Sequence, residues 1–528
     1  MGAQVRFVPA LHAILALSIV LSLVACSGKS PQTSKTGETT PTLVQDFQPG
    51  SNGSGLPGQY YTFNLPNPTL ANNTLICGFS YSGTSATVTW SDNNNNSWTQ
   101  LVKTTDSTSG YTIGVWGVAA ATGTQTITTT LSAAEYNWSI HCSEFAYASM
   151  TVDKSFTGTN KTGPTIATNA QTTTVNEDLI WQYVVDGKGL SFATEATSIV
   201  VGSGFSLLAP NRELATAAQY LVQSTAGSIT PTMTINQAST HDAFDTVAVA
   251  LESSSSGTLP PTGARILMEG VVVPPTTGAS SASEQIPCSG TGLTLVFGGS
   301  TNAGSFDLYS GKTDGTTSWS DSEGNTYKAA VVSGQTELPQ IVYATNATCS
   351  NPNTRTVTMT FIDNGSPDPV HWYVVTGAAT TGTLDTSLGS AACIGATGCI
   401  AGCSNGICYA AGDQTSQAAN STVCTNSTNY NTGIKVTPST SKGVIFDAGY
   451  TGIGPTCGSA GSTSGVINDA VWFQTENDSC CSYLDSASTY DHGFYTSASQ
   501  VILQDNWANS ASPEPSSYSN IAIAIKSQ

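Results

Sequence analysis

Two short segments carry the side chains best suited to hold a ligand or a cation, and they copy each other. The first is Trp90-Ser91-Asp92-Asn93-Asn94-Asn95-Asn96-Ser97-Trp98. The second is Trp319-Ser320-Asp321-Ser322-Glu323-Gly324-Asn325-Thr326-Tyr327, matching without a gap at an offset of 319 − 90 = 229. Asp92, Asn94 and Asn96 alternate oxygen-bearing side chains, and so do Asp321, Glu323 and Asn325. Such alternation is how a tight loop aims several oxygens at one hard cation, so calcium is one reading. Neither copy has the position-6 Gly or the distal bidentate Glu of an EF-hand. The competing reading is an Asx- and Gly-rich hairpin turn, whose carboxylate caps backbone N–H groups without any metal.

Rings flank the same segments. Trp90/Trp319, Trp98/Tyr327 and Trp116/Tyr343 recur in both copies. Exposed flat rings would stack on sugar faces; ring pairs on neighbouring strands would instead fill a core. Trp98 and Tyr327, beside the turn, are the two expected to face a ligand.

Other chemistry is thinly represented. There is no G-x-S-x-G elbow; Gly461-Ser462-Thr463-Ser464-Gly465 has Thr at its centre. His141 and His371 fall in corresponding strands, two positions out of register by the sequence match, and read as tucked strand residues rather than bases. Glu144 and Asp186 are candidates for the paired acids of a glycoside hydrolase, but neither recurs in the second copy. The acids that do recur are Asp92/Asp321 and Asp153/Asp385, a turn pair and a strand-end pair. A non-catalytic protein is the expectation, with a glycan hydrolase carrying loop-borne carboxylates as the alternative.

The elements that must position these residues are strands. Short runs rich in Val, Ile, Thr and aromatics, bounded by Gly, Asn, Ser or Pro, recur at Thr74–Tyr81, Ala86–Trp90, Ser97–Val102, Tyr111–Ala119, Thr124–Leu131, Trp138–Ala146, Asp178–Val185 and Asp245–Glu252. No stretch sustains a 3.6-residue period over three turns, so the expected fold is all-β. The echo continues on both sides of the turn. Leu43-Val44-Gln45 returns as Ile266-Leu267-Met268, Leu75-Ile76-Cys77-Gly78 as Leu295-Val296-Phe297-Gly298, and Thr126-Ile127-Thr128 as Thr356-Val357-Thr358. Val247–Leu251 returns as Ile521–Ile525. Two tandem β-sandwich modules of an Ig-like or jelly-roll-like kind are expected, at 42–253 and 265–528, joined by a Ser/Gly/Pro-rich linker at 254–264. The second carries a Cys-rich insertion at about 388–432.

With 34 acidic against 15 basic residues and a net charge of −19, the surface repels nucleic acid and anionic lipid. Only 9% of residues are charged, as in many secreted β proteins, and the low-charge acidic surface would suit an acidic medium.

The N-terminus begins with Arg6 and a mostly apolar run from Phe7 to Val24, ending in Leu23-Val24-Ala25-Cys26. This resembles the bacterial lipoprotein signal and its lipobox. The resemblance implies a signal peptide at 1–26, a lipidated Cys26, a flexible tether at 27–41 and attachment to the cell envelope, at the outer membrane or cell surface. The motif order Leu-Val-Gln, Trp/Val-x-Asp-x-x-Gly-Asn-x-Tyr, Tyr/Trp-x-x-Ala and Thr-Val-Thr resembles a β-sandwich module that recurs in bacterial cell-surface proteins. The first copy departs from it at Asn95, where the turn glycine is expected. This resemblance implies an architecture and no activity.

Removing Cys26 from 13 cysteines leaves 12, an even number in an exported chain, so disulfides are expected. Cys77 and Cys142 are the first module's only pair. Their counterparts by the sequence match, Phe297 and Val374, are apolar, which suggests two inward positions facing across the core. Cys393 to Cys408 runs C-x5-C-x3-C-x4-C without C-x2-C or a nearby His, so a disulfide-stapled loop is preferred to zinc. That loop is the second module's expected binding surface. Adhesion or ligand binding at the cell surface follows as the expected function, with a polysaccharide or another surface protein as partner, a structural envelope role lying within the same reading.

Overall fold

In the computed structural model the described residues are 40–528, excluding 52–57, 121, 188–195, 213–214, 238–242, 253–256, 273–280, 300–318, 331–339, 351–355, 361–369, 387, 389, 394–395, 415, 418–427, 439–441, 452–456, 463–465, 476–483, 496–499 and 510–516. Cys26, His241, Cys424, Cys480 and Cys481 lie outside them. Every named element among the described residues is a strand, so the fold is all-β.

One sheet runs through both halves of the chain. Its strands lie in the order Thr99–Asp106, Tyr111–Ala120, Asn73–Ser82, Thr126–Ala146, Thr42–Ser51, Arg265–Val272, Val370–Thr376, Gly290–Gly299, Gln340–Cys349, Lys328–Ala329. The two central strands carry the echoed segments Leu43-Val44-Gln45 and Ile266-Leu267-Met268. They pair in parallel, Asp46 opposite Met268 and Phe47 opposite Glu269. Every other pairing in this sheet is antiparallel. Outward from this seam the strands follow the same order in each half.

Like strands laid side by side in parallel are related by rotation about the strand axis, which turns each half's faces over. Leu75 and Cys77 therefore point to one side of the sheet, while Leu295 and Phe297, their counterparts, join the core on the other side with Ile76 and Phe145. Side chains alternate along a strand, so this placement is set throughout by the register at the seam.

Each half then buries its exposed face under its own second sheet. In the first half, Ser206–Leu207, Ala217–Gln223, Asp178–Asp186, Ala243–Leu251 and Val152–Thr162 form the cover. Leu179, Trp181, Tyr183, Val247 and Val249 press onto Ile76, Ile113, Val115 and Phe145. In the second half, the sheet built on Gly443–Thr451 and Ser517–Lys526 packs Val444, Phe446, Ile521, Ile523 and Ile525 onto Ile266, Val296, Tyr373 and Val375. Each fully buried side chain of this size contributes about 1.5–3 kcal/mol.

Several elements differ from expectation. Thr124–Leu131 and Trp138–Ala146 belong to one 21-residue strand, Thr126–Ala146. Its first part pairs with Gly58–Asn64 and Val88–Asp92, its second with Asn73–Ser82 and Thr42–Ser51. Between them Asn137 adopts φ 48° beside a break in register, so the strand turns a corner between two layers. The Cys-rich insertion is not a surface loop throughout. Ile407–Gln414 pairs with the closing strand Ser517–Lys526 where Val152–Thr162 pairs with Ala243–Leu251 in the first half. Cys408 and Ala410 are buried in its core, and Cys403 is bonded to Cys408 across the Asn405-Gly406 turn.

Cys77 and Cys142 form a disulfide, but as direct neighbours on adjacent strands, with Cα atoms 4.1 Å apart, rather than across the core. The same pairing in the second half sets Phe297 opposite Trp372, so Trp372, not Val374, occupies the place of Cys142. Cys288 and Cys349 form a further bridge. In the connecting segment, a side chain at Gly257 would meet Tyr147 N at 2.2 Å, and Thr258 N donates to Asn73 Oδ1 at 2.7 Å. The segment lies against the first half rather than standing off it.

Candidate functional site

The repeated turn is built the same way twice. Val88–Asp92 leads into it, and Asp92 Oδ1 accepts the backbone N–H groups of Asn94 (2.9 Å) and Asn96 (3.2 Å). Its Oδ2 accepts Trp98 Nε1 at 2.7 Å and Asn96 Nδ2 at 3.1 Å. In the second half Asp321 Oδ1 accepts the N–H groups of Glu323 and Asn325, both at 3.0 Å. Its Oδ2 accepts Asn325 Nδ2 at 2.9 Å and the Tyr327 hydroxyl at 2.7 Å. Glu323 Oε2 accepts Ser350 Oγ at 2.5 Å. Asp92 and Asp321 are each surrounded by donors, the arrangement of a carboxylate that caps a turn. Asn95 takes φ 54° where Gly324 takes φ 76°, so asparagine, which tolerates the left-handed region, replaces the glycine there.

Behind each turn sits an aromatic cluster. Trp98 stacks on Trp90 with centroids 5.0 Å apart at 25°, and Trp90 lies 5.7 Å from Trp116. Trp90 and Trp98 are half-buried. The second-half counterparts are closed off. Trp319 is 5% exposed and Tyr327 3%, with Phe297 packed on both. The Tyr327 ring is therefore not placed to stack on a ligand as expected. The same half is also tied to the first at a neighbouring strand. Strand Ser281–Gln285 is tied to the first half by Gln285, which exchanges two hydrogen bonds with the backbone of Ile199. Arg212 also donates to the Ser283 carbonyl. Trp116 and Tyr343 do not correspond. Cys77 pairs with Trp116 and Phe297 with Val342, so Tyr343 is one residue out and faces the opposite core.

The outer surface of the same layer holds the most accessible feature. Strands Gly58–Asn64 and Val88–Asp92 flank the first part of Thr126–Ala146, aligning Tyr60, Thr130 and Thr89 in one row and Thr62, Thr128 and Ser91 in the next. Tyr60 is 67% exposed, and Thr62 Oγ1 lies 2.9 Å from Thr128 Oγ1. The second half repeats a row as Ser283, Thr358 and Ser320. The recurring Thr-x-Thr was legible as a strand signature, but its outward hydroxyls need the pairing register to be seen.

The remaining candidates are enclosed. His141 and His371 are in register after all, opposite Gly78 and Gly298. His141 Nε2 lies 2.9 Å from Asp46 Oδ1, and Ser143 Oγ donates to that same oxygen at 2.5 Å. Ser, His and Asp are thus gathered, yet the hydroxyl donates to the acid rather than to the imidazole and all three are buried. A nucleophile needs a base on its hydroxyl and a route to substrate, so this trio is structural. Glu144 is buried and accepts Leu70 N, Asn73 Nδ2 and Gln45 Nε2. Burial pushes its carboxyl up, opposed by those bonds and by Arg265. Asp186 is likewise buried, in a different sheet. Neither acid is exposed on a cleft.

No known protein-family model matches the chain, and no curated protein matches it.

Proposed function

We propose that the protein is an exported, lipid-anchored cell-surface protein that binds a neutral polysaccharide without transforming it. The observation that carries the reading is the outer face of the first half, with Tyr60 and two rows of Thr and Ser hydroxyls presented to solvent. A phenol ring stacks on the C–H face of a sugar, and aligned hydroxyls exchange hydrogen bonds with its own. A face without charge suits an uncharged polymer, in keeping with a chain of which only 9% is charged. Attachment through Cys26 rests on Leu23-Val24-Ala25-Cys26.

The test is a pull-down of the full-length protein on a panel of insoluble and soluble polysaccharides, with released reducing sugar assayed in the same tubes. Retention without release is expected. Tyr60→Ala should weaken it about 5- to 150-fold, the worth of one stacked ring at roughly 1–3 kcal/mol, while leaving the melting temperature unchanged. Release of sugar would instead make the protein a hydrolase. Retention that ignores Tyr60→Ala moves the ligand off this face.

A further inference from the structure

At one end of the first-half sandwich, Asp178 opens strand Asp178–Asp186 fully buried. Neither of its oxygens meets an N–H or hydroxyl donor; the group in hydrogen-bond contact with it is the carboxyl of Asp153. Asp153 is well supplied, accepting Lys154 Nζ at 2.8 Å and both the N–H and hydroxyl of Thr174 at 2.6 Å. The other groups facing Asp178 are Glu252, just past Ala243–Leu251, which adds repulsion, and Lys154 on Val152–Thr162, which relieves it. Gln223, across from Asp178, is engaged with Thr173.

The second half shows what this place requires. Val152 and Leu384 pair with Leu251 and Ile525, so Asp385 stands where Asp153 does. Leu179 and Val444 pair with the same two residues, so Gly443 stands where Asp178 does. Opposite Gly443 is Tyr495, whose hydroxyl donates to Asp385 Oδ2 at 3.3 Å. A side chain at Gly443 would meet that hydroxyl at 2.5 Å. The recurrent Asp therefore takes a hydrogen bond from a buried hydroxyl in the second half. In the first half the buried group in hydrogen-bond contact with that Asp is the Asp178 carboxyl, while Gln223, in the place of Tyr495, is engaged with Thr173.

We propose that Asp178 is held as the neutral acid and donates its proton to Asp153, making this end of the first-half sandwich a latch that closes in acid and loosens in alkali. Burial, the Asp153 charge and Glu252 together raise Asp178 from 3.8 to about 8. Asp153 moves the other way, held low by Lys154 and Thr174 against its own burial. Two neighbouring acids driven apart in this way share one proton. A carboxyl that binds its proton more tightly folded than unfolded stabilises fully below its unfolded value and loses that contribution as pH rises to its folded value. The window runs from about 4 to about 8. Asp153, being depressed, loses its contribution only at the acid end, outside that window.

The experiment is a melting-temperature profile of the full-length protein across pH, beside Asp178→Asn. An amide donates to Asp153 without titrating. Wild type should lose stability across the window relative to the variant, and the difference between the two curves should itself titrate there. Parallel curves would overturn the latch. Should Asp178→Asn not fold, infrared difference spectra of wild type decide the matter. A carboxylic-acid C=O band lost with a midpoint near about 8 supports the shared proton, and no acid band titrating above about pH 6 overturns it.

Discussion

Asp92 and Asp321 illustrate how one side chain organises a turn. Each carboxylate gathers two backbone N–H groups, an asparagine amide and the polar tip of the ring that closes the segment. Charge-assisted bonds of this kind contribute roughly 1.5–3 kcal/mol where they stay protected. Asp92→Ala should therefore lower stability by about 2 kcal/mol in denaturant unfolding, and chelation should leave the wild-type midpoint unmoved; a chelator-sensitive midpoint would restore a cation to the turn. The spacing of this segment was legible in the sequence, down to the repeat. What it did not disclose was exposure. Trp98 and Tyr327 hold matching places, yet only Tyr327 is sealed, packed against Phe297 and Trp319 in a core that also gathers first-half residues such as Leu208 and Ala209. Burial made by such distant partners leaves no local trace.

Strands are legible in the sequence where alternation is strong and hidden where it is weak. Val152–Thr162 contains Asp, Lys, Asn and four residues of Ser or Thr, and nothing in it announces a strand. It forms one because Ala243–Leu251, buried along its whole length, offers an edge to pair with. The Cys-rich insertion hides for a related reason. Its inward residues on Ile407–Gln414 include Cys408 and Ala410, small side chains that give little hydrophobic signal. The Asn405-Gly406 pair, both at positive φ, was the available sign of a two-residue hairpin turn. Close approach of elements also fixes single positions. At Gly443 a Cβ would fall 2.3 Å from the Ile525 carbonyl and 2.5 Å from the Tyr495 hydroxyl. Gly443→Ala should cost about 1–3 kcal/mol through overpacking and should break the Tyr495–Asp385 bond. Unfolding in denaturant measures the first, and the Tyr495 environment by ultraviolet difference spectroscopy the second.

At the scale of the molecule, the repeat predicts two like units but is silent on whether they are independent. The parallel seam between Thr42–Ser51 and Arg265–Val272 makes them share a sheet, and polar side chains lace it. Asn67 donates to the Ile266 carbonyl at 2.7 Å, and its own N–H and amide reach Gln45 Oε1, which lies beside buried Glu144. One residue earlier, the Pro66 carbonyl accepts His492 Nε2 at 2.8 Å. A loop of the first half is thus anchored to two different sheets of the second. Cutting the chain into halves would expose an apolar strand edge on each and strand buried polar groups, each costing about 1–3 kcal/mol without partners. The halves should therefore unfold together, in a single calorimetric transition with calorimetric and van't Hoff enthalpies equal. Asn67→Ala removes the lacing while leaving both cores intact. If the seam couples the halves, that variant should broaden the transition or split it in two; if wild type already melts in two steps, the shared sheet is a contact and not a coupling.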